Sequence, residues 1–69
     1  MVWVKYKEKF HRSTYVFWKQ HKTMANAKKL VASWNRFKNP SENLRILKHQ
    51  TSKPKNLKKG EAPGIYFEK

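Results

Sequence analysis

The sequence lacks cysteine and aspartate, and only two of its 69 residues are glycine. Without cysteine the chain forms neither disulfides nor thiolate zinc sites. Two glycines, Gly60 and Gly64, are too few for a glycine-rich phosphate-binding loop. No apolar run approaches the roughly 18 residues needed to span a bilayer, and the N-terminal residues lack the features of a signal peptide. We therefore expect a protein of the cytoplasm with no membrane partner.

Acidic side chains are also scarce, which argues against an enzyme. Because aspartate is absent, the carboxylates of a paired-carboxylate site or of a Ser–His–acid arrangement would have to come from four scattered glutamates. Those are Glu8, Glu42, Glu61 and Glu68. No two of the histidines at 11, 21 and 49 are four residues apart on a helix. We expect no catalytic residue, no metal site and no cofactor.

Positive charge and aromatic rings are what the sequence has in abundance. Seventeen lysines and arginines give a formal charge of +13, and a charge of this size repels itself in the compact state. Such a balance is typical of proteins whose partner is polyanionic. Aromatic residues make up 14% of the chain, and each buried ring removes about 150–250 Å² from water, so a few rings can hold a small core together.

The first half of the chain predicts a β-hairpin followed by a helix. Residues 2–21 contain two runs of β-branched and aromatic residues, but the polar connection between them has no glycine or proline to define its turn. Thr23 is a good N-cap for a helix over 23–38, which Asn39-Pro40 ends. Its apolar stripe consists of Met24, Ala27, Leu30, Val31, Trp34 and Phe37.

The second half is less regular. Residues 44–49 fit a strand, which we favour, or a helix capped by Ser41. Residues 51–64 have the composition of a basic linker, and residues 65–67 either add an edge strand or extend freely. The predicted fold is α+β, in the order ββαβ, with an antiparallel sheet of three or four strands and one helix on one face. Residues 1–50 form its compact domain, and residues 51–69 a flexible basic linker with a short apolar end.

The hairpin suggests where nucleic acid binds. If Val2, Val4, Val16 and Trp18 point inward, the outer face carries aromatic rings among cations, an arrangement that holds single strands by stacking and phosphate contacts. The alternative is that these rings complete the core or cover an interface. The cations after residue 44 add a phosphate-binding run. The predicted nucleic-acid-binding residues are Trp3, Lys5, Lys7, Tyr15, Phe17, Lys19, Arg45, Lys48, Lys53, Lys55, Lys58 and Lys59.

A resemblance to a known group depends on three residues of the predicted helix, Thr23, Ala27 and Trp34. Aromatic strands precede these residues, and Leu44-Arg45-Ile46 follows them. The chain resembles small bacteriophage early proteins of strand–strand–helix–strand type that bind host machinery such as RNA polymerase. The resemblance covers residues 2–50 and transfers no binding residue. It implies a viral origin, a place in the host cytoplasm and a host macromolecule as target. The two functional hypotheses are a nucleic-acid-binding protein and a modulator that docks on an acidic surface of a host protein.

Overall fold

The computed structural model describes residues 1–60 and 64–69, which form a five-stranded antiparallel sheet with one helix on one of its faces. The strands are β1 (Val2–Phe10), β2 (Ser13–His21), β3 (Arg45–Gln50), β4 (Leu57–Lys59) and β5 (Ile65–Glu68). Their order across the sheet is β3-β1-β2-β5-β4. The helix α1 spans Met24–Asn35, and a single 3₁₀ turn covers Pro40–Glu42. The predicted α+β class is confirmed, but the sheet has five strands where we predicted three or four.

A two-residue turn at His11 and Arg12 joins β1 to β2. Both residues have positive φ, 49° and 68°, as the hairpin turns that match the strand twist require. The turn aligns Phe10 with Ser13, and this register then places Tyr6 opposite Phe17. Even-numbered residues of β1 therefore share a face with odd-numbered residues of β2.

The helix begins as predicted and ends earlier. The Oγ1 atom of Thr23 accepts a hydrogen bond from the backbone N–H of Asn26 at 3.4 Å, which confirms the cap. At the other end, the Asn35 amide holds the backbone of Leu44 through two hydrogen bonds of 3.1 and 2.6 Å. Phe37 lies beyond the helix and is 87% exposed, so its predicted place on the apolar stripe is wrong.

The main core lies between α1 and the sheet. Its buried members are Val2, Val4, Tyr6, Phe17, Ala27 and Leu44. The rings of Tyr6 and Phe17 stack across the hairpin with centroids 5.3 Å apart. Half-buried residues of the helix, including Leu30 and Trp34, pack against this core. The nucleic-acid hypothesis assumed that Val16 and Trp18 point inward with Val2 and Val4, but the register turns Val16 and Trp18 to the opposite face.

Part of the predicted basic linker belongs to the sheet. β5 pairs with β2 through Phe17–Phe67 and Trp18–Tyr66, and β4 pairs with β5 at the sheet edge. The sheet thus extends beyond the compact domain that we predicted for residues 1–50, and positions 61–63 of the predicted linker lie outside the described residues. Residues 45–50 form a strand, as we favoured. No helix in the described ranges has the length and apolar character to cross a membrane.

Candidate nucleic-acid interface

The cations on the sheet face opposite the helix include Lys5, Lys7, Lys9, Arg45, Lys48, Lys53 and Lys59. We call the surface formed by five of them, Lys5, Lys7, Arg45, Lys48 and Lys53, the basic face. In the register of β1 with β3, Lys5 lies opposite Lys48 and Lys7 lies opposite Arg45. Like charges in directly opposed positions of a sheet destabilise the pairing. The sequence therefore places two unfavourable pairs side by side on one surface.

A layer of aromatic rings lies beneath these cations. The Nζ atoms of Lys5 and Lys48 are 5.9 and 5.5 Å from the centroid of the Trp18 ring, and Trp18 is only 3% exposed. Lys53 lies 5.9 Å from the Trp3 ring and 5.4 Å from the ring of Tyr66. Contacts of this kind attract a cation to the ring face by about 0.5–1 kcal/mol at exposed sites. They offset part of the repulsion between the opposed cations.

Among residues 1–60 and 64–69, the carboxylate of Glu68 belongs to this surface. Glu68 of β5 accepts a hydrogen bond from Lys5 at 3.0 Å, with the Lys5 side chain 20% exposed. The other ion pair found within the described residues joins Glu8 to Lys38 on the helix side. Lys7, Arg45, Lys48 and Lys53 are all exposed, so the basic face keeps a strong positive potential.

The structure divides the predicted binding residues between two faces. Trp3, Lys5, Lys7, Arg45, Lys48 and Lys53 lie together, but Trp3 is 7% exposed and offers no free ring face for stacking. Tyr15, Phe17 and Lys19 lie on the helix side, because they oppose Glu8, Tyr6 and Val4. The single surface that combined Trp3 with Tyr15 and Phe17 therefore does not exist.

The remaining predicted cations lie farther along the chain. Lys55 belongs to the connection between β3 and β4, and Lys58 opposes Phe67 on the helix side. Lys59 opposes Tyr66, at the far edge of the sheet from β3.

The sequence analysis did not identify Trp18, whose ring lies beneath Lys5 and Lys48. Its position alternates with Phe17 in β2, so only the hairpin register could have identified its face.

A buried hydrogen-bonded pair, Tyr6 and His21, lies on the helix side of the hairpin. The hydroxyl of Tyr6 and Nε2 of His21 share a hydrogen bond of 2.5 Å. Burial raises the pKa of Tyr6 to about 12, so the hydroxyl stays protonated at neutral pH. Burial, and secondarily the charge of Lys19, lower the pKa of His21. Both directions favour a Tyr6 hydroxyl that donates to a neutral imidazole.

Histidine and carboxylate side chains do not gather into a metal-binding group of three or more within residues 1–60 and 64–69. Comparison with protein-family models, with curated protein sequences and with solved structures finds no match to this chain.

Proposed function

We propose that the protein binds nucleic acid through the basic face and that phosphate contacts supply most of the affinity. The observation that carries this proposal is the pair of opposed like charges, Lys5 with Lys48 and Lys7 with Arg45. A fold gains nothing from such an arrangement by itself. Phosphates inserted between the cations would relieve the repulsion, and the bound state would be favoured by release of counterions.

The buried rings of this face restrict how the nucleic acid is recognised. Trp3 and Trp18 support the lysines from below and have almost no exposed surface. We therefore propose contacts to the backbone with little base readout, so that duplex and single strand both bind at this face. This revises the stacking component that the sequence suggested. A cytoplasmic location, as the sequence predicts, suits such a partner.

Charge-removing variants test the basic face. Lys7→Gln and Lys48→Gln should each weaken duplex binding and flatten the slope of log affinity against log salt by about 0.9. The matched control is Lys29→Gln, which removes the same charge from an exposed position on the helix. Fluorescence anisotropy with a labelled duplex at several salt concentrations measures both quantities. An equal loss in the control would show that total charge alone matters and would refute a defined interface.

The second hypothesis, docking on an acidic surface of a host protein such as RNA polymerase, uses the same cations. Affinity purification from lysate with and without nuclease distinguishes the two. We expect nuclease to remove what the chain retains. Recovery of one protein that survives nuclease and is lost with Lys48→Gln would replace nucleic acid by a protein as the partner.

A further inference from the structure

On the helix side, a groove remains where α1 does not cover the outer part of the sheet. It has a volume of about 830 Å³, within the range of small-ligand sites. We call it the aromatic groove. Its apolar lining consists of Phe10, Tyr15, Phe17, Trp34, Ile65 and Phe67. Glu8 and residues 58–60 complete its rim.

The rings of the aromatic groove form a continuous series with open surface. Phe17 lies 6.0 Å from Trp34 and 6.1 Å from Phe67, and Phe67 lies 6.3 Å from Tyr15, as measured between centroids. Phe17 is buried at the bottom, whereas Tyr15 is 39% exposed and Phe10 is 47% exposed. Apolar side chains that line a concave, open site are the usual lining of a binding site.

We propose that the aromatic groove binds unpaired bases of single-stranded nucleic acid. The inference rests on the proposed function for its class of partner, but it assigns a different surface with different chemistry. Base stacking on aromatic side chains is tolerant of sequence and is worth a several-fold or larger gain in affinity per base. An open groove lined by half-exposed rings provides such a platform, which the basic face with its buried rings does not.

The charges at the rim favour a nucleic-acid strand over the other possible occupants. Lys58 opposes Phe67 on the helix side and lines the groove, so a cation stands where a strand's phosphates would pass. The carboxylate of Glu8, which would otherwise repel phosphate, is paired with the Lys38 ammonium. A second copy of this chain would bring a formal charge of +13 toward an equal one.

The sheet separates the aromatic groove from the basic face, so the two surfaces can be altered independently. Variants of exposed rings test the groove, since Tyr15→Ala and Phe10→Ala remove side chains that the core does not need. Tyr15→Phe keeps the ring, and Leu47→Ala removes an exposed apolar side chain of β3 as a matched control. The probes are a labelled oligothymidylate and a labelled duplex of the same length, with thermal melting to verify the fold.

We expect Tyr15→Ala and Phe10→Ala each to weaken oligothymidylate binding about fivefold or more, with the salt slope and duplex affinity unchanged. Tyr15→Phe and Leu47→Ala should bind like the parent. In NMR spectra, oligothymidylate should shift the indole N–H signal of Trp34, whereas the duplex, which binds at the basic face, should leave the Trp34 signal in place. An unshifted Trp34 signal, or equal effects of Tyr15→Phe and Tyr15→Ala, would overturn the groove assignment.

The same measurements separate failure of this inference from failure of the proposed function. If Lys48→Gln weakens binding but the ring variants do not, the basic face stands and the groove assignment falls. If only the ring variants weaken binding, the groove stands and the basic face falls. Sedimentation that shows a dimer for the parent and a monomer for Tyr15→Ala would make the groove a contact between copies and overturn the inference.

Discussion

Replacing Trp18 tests whether the basic face has a core of its own. Trp18 is 3% exposed on the face opposite the helix, so Trp18→Ala removes a large ring that no helix residue can replace. Truncation of a buried tryptophan typically costs about 3–5 kcal/mol. A chain of 69 residues has a total stability of about 3–10 kcal/mol, so the variant should lose much of it.

Urea denaturation followed by circular dichroism measures this loss, and a double-mutant cycle separates its parts. The cycle combines Trp18→Leu with Lys48→Gln, and we expect a coupling of about 0.5–1 kcal/mol from the contact of the ammonium group with the ring. Trp34→Ala is the comparison, because Trp34 is half-buried at the groove and should cost less. A loss below about 1 kcal/mol for Trp18→Ala would refute the second aromatic layer.

Two further predictions concern the helix side. The free energy of unfolding should fall as the pH drops below about 6.5, because His21 then binds a proton in the unfolded state more readily than in the folded state, where its pKa is lowered. Urea titrations at several pH values measure this dependence, and His21→Gln should flatten it. Gly60→Ala should lower stability by about 1–3 kcal/mol, because a Cβ there would lie 2.6 Å from Cε2 of Phe67, and an unchanged urea midpoint would contradict this packing.

The hairpin shows how far the sequence could predict this fold. Alternation in each strand correctly separated Val4 from Lys5 and Phe17 from Trp18. It could not say which face of β2 joins which face of β1, because that depends on the number of residues in the turn. His11 and Arg12 adopt left-handed conformations without the glycine or asparagine that normally identifies a two-residue turn. The predicted binding surface was therefore divided between two faces.

The end of the chain was difficult for a different reason. β4 has three residues, too few to show alternation, and its lysines resemble those of a basic linker. β5 has four residues and lies inside the sheet, between β2 and β4, although its sequence position suggests a free end. The helix cap at Thr23 was predictable because capping depends on local chemistry alone. The short strands β4 and β5, which are fixed by pairing with distant residues, gave no comparable signal.

The basic face links the stability of this protein to its proposed partner. Two pairs of like-charged residues on neighbouring strands destabilise the fold. The Trp18 ring and the Glu68 carboxylate offset only the repulsion between Lys5 and Lys48. Among the described residues, no aromatic ring lies beneath Lys7 or Arg45, so the repulsion between these two cations should persist in the free protein. A polyanion that binds this face relieves the repulsion and stabilises the folded state by mass action. The residues that weaken the free fold are thus the ones that a phosphate backbone would engage.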